Sequence, residues 1–317
     1  MTSNKNIIVI ITDDQGAWAM GCAGNGEIRT PNLDRLAQTG TLMDNFFCVS
    51  PVCSPARASI LTGRIPSQHG VHDWLAGGNS ATVEKRKAIE YLSGMLGYTD
   101  LLAANGYTCG LSGKWHMGDS EHPQKSFSFW QAHCLGGGPY YDAPFSDASG
   151  KVTYRKGEYV TEVTTGYAIE FLNGHRDADS PFCLNVCYTA PHRPWDKSEH
   201  PQETYEGYYD NCSFESVPDA PRHPWQKGPY PESRRADLAG YFAAITEMDK
   251  GVGEILDWLE DNFLEEIMAD SSARRVYTLM ALAIAVVRGL ITDNVLFENF
   301  FVIDDFDLRQ WLGGWGR

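Results

Sequence analysis

The most constraining feature of the sequence is a continuous apolar, β-branched run, Asn6-Ile-Ile-Val-Ile-Ile-Thr12, which ends in Asp13-Asp14. A run without polar alternation predicts a strand that is buried on both faces, as in the middle of a parallel sheet. In open α/β sheets, ligands bind beyond the carboxyl ends of such strands. We therefore predict an α/β fold with a mostly parallel or mixed central sheet flanked by helices, and polar site residues directly after this first strand.

Later segments continue the alternation of helices and strands. Apolar spacing and Gly or Pro punctuation predict helices from Pro31 onward and over residues 92–105 and 236–259, and strands over residues 106–112 and 184–188. Two stretches rich in Gly, Pro, Tyr and polar residues, 119–160 and 196–235, are predicted to be long surface excursions. Excursions of this kind on an α/β scaffold usually shape access to the site.

Charge and cysteine spacing narrow the class of protein. A formal net charge of −15 and a pI near 5.0 argue against binding to nucleic acid or to an anionic membrane surface. We expect a cytoplasmic protein because no leader pattern is evident, and the apolar residues 276–287 are too few to span a bilayer. The eight cysteines lack a disulfide framework, so we expect free thiols, with Cys183 and Cys187 on one face of a strand.

The chemically most specific segment is Cys53-Ser-Pro-Ala-Arg57, which is followed by a helical run and Thr62-Gly-Arg64. A Cys in a Pro-containing turn before a helix is also compatible with a buried structural thiol. The extended segment closely resembles the signature of the type I sulfatases in the alkaline phosphatase superfamily. The resemblance implies that a formylglycine-generating maturation enzyme oxidises Cys53 to formylglycine, whose hydrate is the nucleophile. It gives Arg57 a role in maturation, in active-site hydrogen bonding or in both.

The Asp13-Asp14 pair matches the family's first pair of metal ligands. The resemblance implies that both residues and Cys53 hold a divalent cation, and oxygen ligands favour Ca²⁺ or Mg²⁺ over zinc. Considered without Cys53, an Asp pair at a strand end is more often a turn or a helix cap. The pair therefore takes its metal-binding interpretation from its combination with the cysteine motif.

Three further residues extend the resemblance. Gly113-Lys-Trp-His-Met-Gly118 resembles the family block whose Lys and His contact sulfate and the nucleophile, here Lys114 and His116. On an extended segment these two side chains lie on one side. His192, in Ala-Pro-His-Arg-Pro-Trp, matches a further family histidine and is a candidate general acid for the leaving alcohol. A lone histidine at either place is more often structural.

The resemblance ends near Asn262. We predict a sulfatase N-terminal catalytic domain over residues 1–262 and a divergent, mainly helical tail of unassigned role over residues 263–317, without the family's usual C-terminal subdomain. The family's second metal-ligand pair is absent from its expected place, and Asp293-Asn294 is a faint match to it. We therefore expect weak metal binding and little turnover.

The sequence thus predicts a sulfuric ester hydrolase that cleaves a sulfate monoester of a small molecule or sugar. Two alternatives stay open. One is a phosphonate or phosphate monoester hydrolase of the same superfamily, since some relatives carry the same modified residue. The other is an inactive, truncated sulfatase-like protein that binds anions.

Overall fold

The computed structural model describes residues 5–218 and 234–269, with side chains through residue 263. Within these segments six strands form one sheet: β1 Ile7–Ile11, β2 Thr108–Lys114, β3 Phe127–His133, β4 Pro144–Asp147, β5 Val152–Tyr154 and β6 Phe182–Cys187. The helices are α1 Pro31–Thr39, α2 Cys53–Thr62, α3 Pro66–His69, α4 Ala81–Glu84, α5 Tyr98–Ala104, α6 Val160–His175, α7 Gln202–Asn211 and α8 Arg234–Ala269.

The sheet is mixed, with the strand order β1-β6-β2-β3-β4-β5. The first four strands in this order are parallel, and β4 and β5 add an antiparallel hairpin at one edge. This confirms the predicted fold class. Because the four parallel strands run in one direction, their carboxyl ends meet along one edge, where side chains from distant parts of the sequence can converge.

Helices cover both faces of the sheet, and side-chain alternation divides the core accordingly. Along β6, Leu184 and Val186 pack in one apolar cluster with α6 and α8, whereas Cys183 and Cys187 pack in the other with α2 and α5. The two thiols therefore share one face, as the strand alternation predicted. Each of the eight cysteines is a free thiol.

Two predictions of local structure were wrong. The helix expected over residues 92–105 is confined to α5, because turns around Gly94, which has a φ of +78°, precede it. The Gly97 N–H donates to the Asp100 carboxylate and fixes the later helix start. Residues 119–160 are not only a surface excursion, since they supply β3, β4 and β5 to the sheet.

The long helix α8 contains the predicted helix over residues 236–259 and continues past Asn262. The predicted domain boundary at that residue stays a prediction. Most of the predicted tail, including residues 276–287 and Asp293-Asn294, lies outside the described residues. Among the described helices, none combines the length and the apolar character needed to cross a membrane.

Candidate active site

The predicted site residues come together at the carboxyl edge of the parallel strands. Asp13 and Asp14 follow β1, Lys114 ends β2, and His192 follows β6 after a short connection. Cys53 is the first residue of α2. Val52, before the helix, is extended, and the helix ends at Gly63, which has a left-handed conformation. The first residue of this helix lies beside the acidic pair.

The deepest part of the site is a buried ion cluster of one carboxylate and two cations. The Arg57 Nη2 donates to Asp13 Oδ2 at 3.0 Å, and the Lys114 ammonium forms an ion pair with the same oxygen. Arg57 Nη1 also donates to the Lys114 carbonyl at 2.9 Å. These three side chains are at most 5% exposed. Arg57 is thus a buried partner of Asp13, and its roles in maturation and at the active site stay predictions.

The two adjacent carboxylates experience opposite electrostatic effects. Burial alone would raise the pKa of Asp13, but the positive charges of Lys114 and Arg57 outweigh it and hold that pKa well below its ordinary value. The pKa of Asp14 is raised by burial and by the negative charge of Asp13. Asp13 is therefore a permanent anion, whereas Asp14 gains from an additional positive charge nearby.

Cys53 faces both carboxylates. One ligand atom from each of Asp13, Asp14 and Cys53 lies within 4.8 Å of the others. Burial, together with the charge of Asp13, raises the pKa of the Cys53 thiol to about 11. The unmodified side chain is therefore a protonated thiol near neutral pH, unlike the thiolate of a nucleophilic cysteine.

The donor set fits a hard divalent cation. Asp13 Oδ2 is engaged by the two cationic side chains, but Asp13 Oδ1 is buried without a hydrogen-bond partner. An unpartnered buried carboxylate oxygen is costly unless something positive meets it. Asp14 presents a second carboxylate beside it, and oxygen donors of this kind suit Ca²⁺ or Mg²⁺.

His116 does not follow the predicted extended geometry. The strand β2 ends at Lys114, and His116 has a φ of +52°, so the rule that residues i and i+2 share one side does not apply. Its buried ring lies at the site with Nε2 3.1 Å from the Leu75 carbonyl oxygen. Burial and the nearby charge of Lys114 lower its pKa to about 3, so the ring is neutral.

His192 lies on the more open side of the site. Its Nε2 is 3.7 Å from Asp14 Oδ2, and its side chain is 21% exposed. Its Nδ1 is 2.7 Å from the Arg193 carbonyl oxygen, which can only accept, so Nδ1 carries the proton of that bond. Nε2 is then the ring nitrogen that faces the acidic pair.

Sequence reasoning missed two glycines that contact these histidines. A Cβ on Gly136 would lie 2.1 Å from the His116 ring, and one on Gly137 would lie 2.6 Å from His192. Both glycines have φ values that other residues adopt, so close approach rather than backbone conformation requires glycine there. The Gly136-Gly-Gly138 run, which begins three residues after the end of β3, was the available signal, but it falls in a predicted surface excursion.

Comparison with known proteins gives a consistent result. The sulfatase family model matches residues 5–266. An N-acetylglucosamine-6-O-sulfatase of Bacteroides thetaiotaomicron is 32% identical over 88% of this chain and 44% of its own length. An ulvan-active sulfatase of Formosa agariphila is 30% identical over 83% of this chain and 48% of its own.

The fold comparison agrees with the sequence comparison. The crystal structure of the yidJ protein of Bacteroides fragilis superposes with a TM-score of 0.68 at 25% identity, covering 83% of this chain and 60% of that one. The chain spans about half the length of the two curated relatives. With the family model matching most of the sequence and relatives of 30% identity or more, this chain belongs to the sulfatase family.

Proposed function

We propose that this protein hydrolyses a sulfate monoester of a sugar, with a formylglycine made from Cys53 as the nucleophile and Ca²⁺ or Mg²⁺ bound beside it. One observation carries the proposal: Cys53, in its Cys-x-Pro-x-Arg setting, has its reactive atom within 4.8 Å of a carboxylate oxygen of both Asp13 and Asp14. A formylglycine-generating enzyme is the proposed partner in maturation.

The environment of Cys53 supports a modified nucleophile. A thiol with a pKa near 11 has little thiolate at neutral pH, so the unmodified residue is poorly suited to attack. Hydrated formylglycine would supply two hydroxyls on one carbon, one to attack sulfur with departure of the alcohol and one to release sulfate by reverting to the aldehyde, and the cation would activate the attacking oxygen. Asp13, Asp14 and the modified residue 53 would hold that cation.

The surrounding side chains would handle charge and protons. Lys114 and Arg57 fix the charge of Asp13 and place positive charge beside the position of the sulfuryl group. His116, neutral and buried, is the proposed polar contact to the nucleophile. His192 would give a proton from Nε2, on the open side, to the departing alkoxide oxygen as an imidazolium, with Nδ1 keeping the proton that it donates to the Arg193 carbonyl.

The choice of a sulfated sugar rests on the relatives. One is named for the 6-O-sulfate of N-acetylglucosamine and another for ulvan, and both align over more than four-fifths of this chain. These names favour a sulfate ester over a phosphate or phosphonate ester. Residues 119–160 contribute strands at the sheet edge and the Gly136-Gly137 contacts, so part of the stretch that we expected to shape access also builds the site.

The test is a comparison of matched esters. The protein is produced together with a formylglycine-generating enzyme and incubated in Ca²⁺ with N-acetylglucosamine-6-sulfate, 4-nitrophenyl sulfate and the corresponding phosphates. We expect slow sulfate release, because the family's second metal-ligand pair is absent from its expected place in the sequence; this release should require the metal, be absent in Cys53→Ala and exceed phosphate release. Faster phosphate release would favour the phosphatase alternative. Sulfate binding in calorimetry without turnover would favour the inactive anion-binding alternative.

A further inference from the structure

A tyrosine from the long helix reaches the turn that carries the acidic pair. The Tyr241 hydroxyl donates to the Asp14 carbonyl oxygen at 3.0 Å and accepts from the Gly16 N–H at 2.8 Å. Tyr241 is 225 residues from Gly16 in sequence and is only 8% exposed. One buried hydroxyl therefore closes the backbone turn that follows β1.

The turn needs such a tether because its conformation is uncommon. Asp14 has a φ of +64°, in the left-handed region that residues other than glycine adopt uncommonly. Asp13 is fixed by its buried ion pairs and by its N–H bond to the Ala190 carbonyl at 3.0 Å. The Asp14 side chain is 45% exposed, and its contact with His192 is 3.7 Å. The direction of its carboxylate depends mainly on its backbone.

The ring of Tyr241 is itself held firmly. It packs edge-on against Trp195 at a centroid distance of 5.7 Å and tilted against Trp18 at 6.0 Å. The preceding residue, Gly240, lies so close to the Trp195 backbone that a Cβ would sit 2.0 Å from its carbonyl oxygen. The close packing of α8 on this segment fixes where the hydroxyl can be.

We propose that Tyr241 is a positioning residue for the metal site, which holds the Asp14 turn so that the Asp14 carboxylate faces Asp13 and Cys53. This inference rests on the proposed function for its metal, but the tether itself belongs to the metal-free chain. Groups that orient metal ligands typically contribute about 10–100-fold in affinity. Since Tyr241 acts through the backbone of one ligand, we expect the lower end of that range.

The test compares two hydroxyl deletions, Tyr241→Phe and Tyr208→Phe. Tyr208 is also buried, and its hydroxyl also bridges a backbone N–H, that of Arg29 at 2.8 Å, to a second group, Thr246 Oγ1 at 2.7 Å. Each variant loses two bridging hydrogen bonds, and Tyr208→Phe also loses the 3.3 Å bond from Arg29 Nε, so Tyr208→Phe should lower the melting temperature at least as much as Tyr241→Phe. By calorimetric titration, Ca²⁺ affinity should fall about tenfold in Tyr241→Phe and stay within about twofold in Tyr208→Phe.

A second readout needs no metal and no turnover. In the protein with EDTA, amide hydrogen exchange at Gly16 should accelerate in Tyr241→Phe and stay unchanged in Tyr208→Phe. Wild-type Ca²⁺ affinity in Tyr241→Phe, or unchanged protection of Gly16, would overturn the inference. If the wild-type protein binds neither Ca²⁺ nor Mg²⁺, the metal of the proposed function is refuted, and the Gly16 exchange rates still decide whether Tyr241 holds the turn.

Discussion

The site has two halves that differ in exposure and in electrostatics. The buried half, made of Asp13, Arg57 and Lys114, contains paired charges that are at most 5% exposed. The open half contains Asp14 and His192, whose side chains are 45% and 21% exposed and 3.7 Å apart. Adjacent residues in the sequence, Asp13 and Asp14, thus belong to environments that move their pKa values in opposite directions.

The difference indicates a division of work. Separating charges that are paired and buried costs a large free energy. The charges of the buried half therefore keep fixed positions. Groups that are half exposed can meet a ligand, exchange protons and adjust. The acidic pair joins the two halves, and Cys53 faces both of its members.

The largest expected effect is a difference in unfolding free energy between a variant of the buried half and a variant of the open half. Asp13→Asn would leave Arg57 and Lys114 buried without their counter-ion, and removal of one partner from a buried ion pair typically costs about 3–5 kcal/mol. Asp14→Asn removes a charge that burial and Asp13 disfavour, so it should not destabilise the metal-free protein. Urea unfolding in the presence of EDTA measures the unfolding free energy of both variants.

The two variants should behave differently once metal is added. Both should lose Ca²⁺-dependent stabilisation, because each removes a proposed ligand. Equal destabilisation of Asp13→Asn and Asp14→Asn in EDTA would contradict the division into a fixed and an adjustable half.

The next effect concerns the glycines that contact the histidines. His116 is buried, with its ring between the Leu75 carbonyl and Gly136, so Gly136→Ala must displace it. Misplacement of a catalytic group by about 1 Å can cost about 10²-fold in rate. We therefore expect a loss of about this size in aryl sulfate hydrolysis, measured as kcat/KM.

Gly137→Ala should lower kcat/KM less than Gly136→Ala does, because the partly exposed ring of His192 has room to rotate. The loss of kcat/KM in Gly137→Ala should be greater with a sugar sulfate than with 4-nitrophenyl sulfate, since a poor leaving group depends more on the general acid. Gly166→Ala, in α6 with open space around its Cα, is the matched control and should keep full activity. A Gly136→Ala enzyme as active as this control would refute the contact's importance.

The smallest expected effect is a pH dependence of opposite sign for the two carboxylates in the metal-free protein. The folded-state pKa of Asp13 is lowered, so its contribution to stability is present above the ordinary value and is lost as the pH falls below it. The folded-state pKa of Asp14 is raised, so its ionisation destabilises the fold as the pH rises above the ordinary value.

Unfolding free energies across pH 3 to 7 give this test, since about 3.8 is the ordinary value for both groups. With rising pH, Asp13→Asn should become progressively less stable than wild type. Asp14→Asn should become progressively more stable than wild type over the same range. Curves that diverge in the same direction would show that the two carboxylates share one environment.

The sequence predicted the parts of the site that local patterns encode. The apolar run of β1 placed Asp13-Asp14 at a strand end, and the motif around Cys53 placed a helix start beside them. Contacts between distant segments have no local pattern that would predict them. The hydrogen bond from Tyr241 to the Asp14 carbonyl, for example, joins residues that are 227 positions apart. The left-handed conformation of His116 could not be predicted from the sequence either, because its neighbours suggested a continuing strand.

The missed strands have a similar physical explanation. The edge strands β4 and β5 have only four and three residues, too few to show periodicity, and they lie among Gly, Pro and Tyr. The pairing of β4 with β3 and of β5 with β4 stabilises them in the fold. Propensity alone therefore suggested a loop where tertiary pairing makes a hairpin.

The most direct test of the central claim is the mass of the tryptic peptide Leu36–Arg57 after production with a formylglycine-generating enzyme. This peptide contains both Cys48 and Cys53, so one thiol is an internal control for the other. We predict that residue 53 loses one sulfur and two hydrogens, gains one oxygen and reacts with an aldehyde probe, while Cys48 remains a thiol. A peptide with both thiols intact, from a host that modifies a known sulfatase in parallel, would contradict the account.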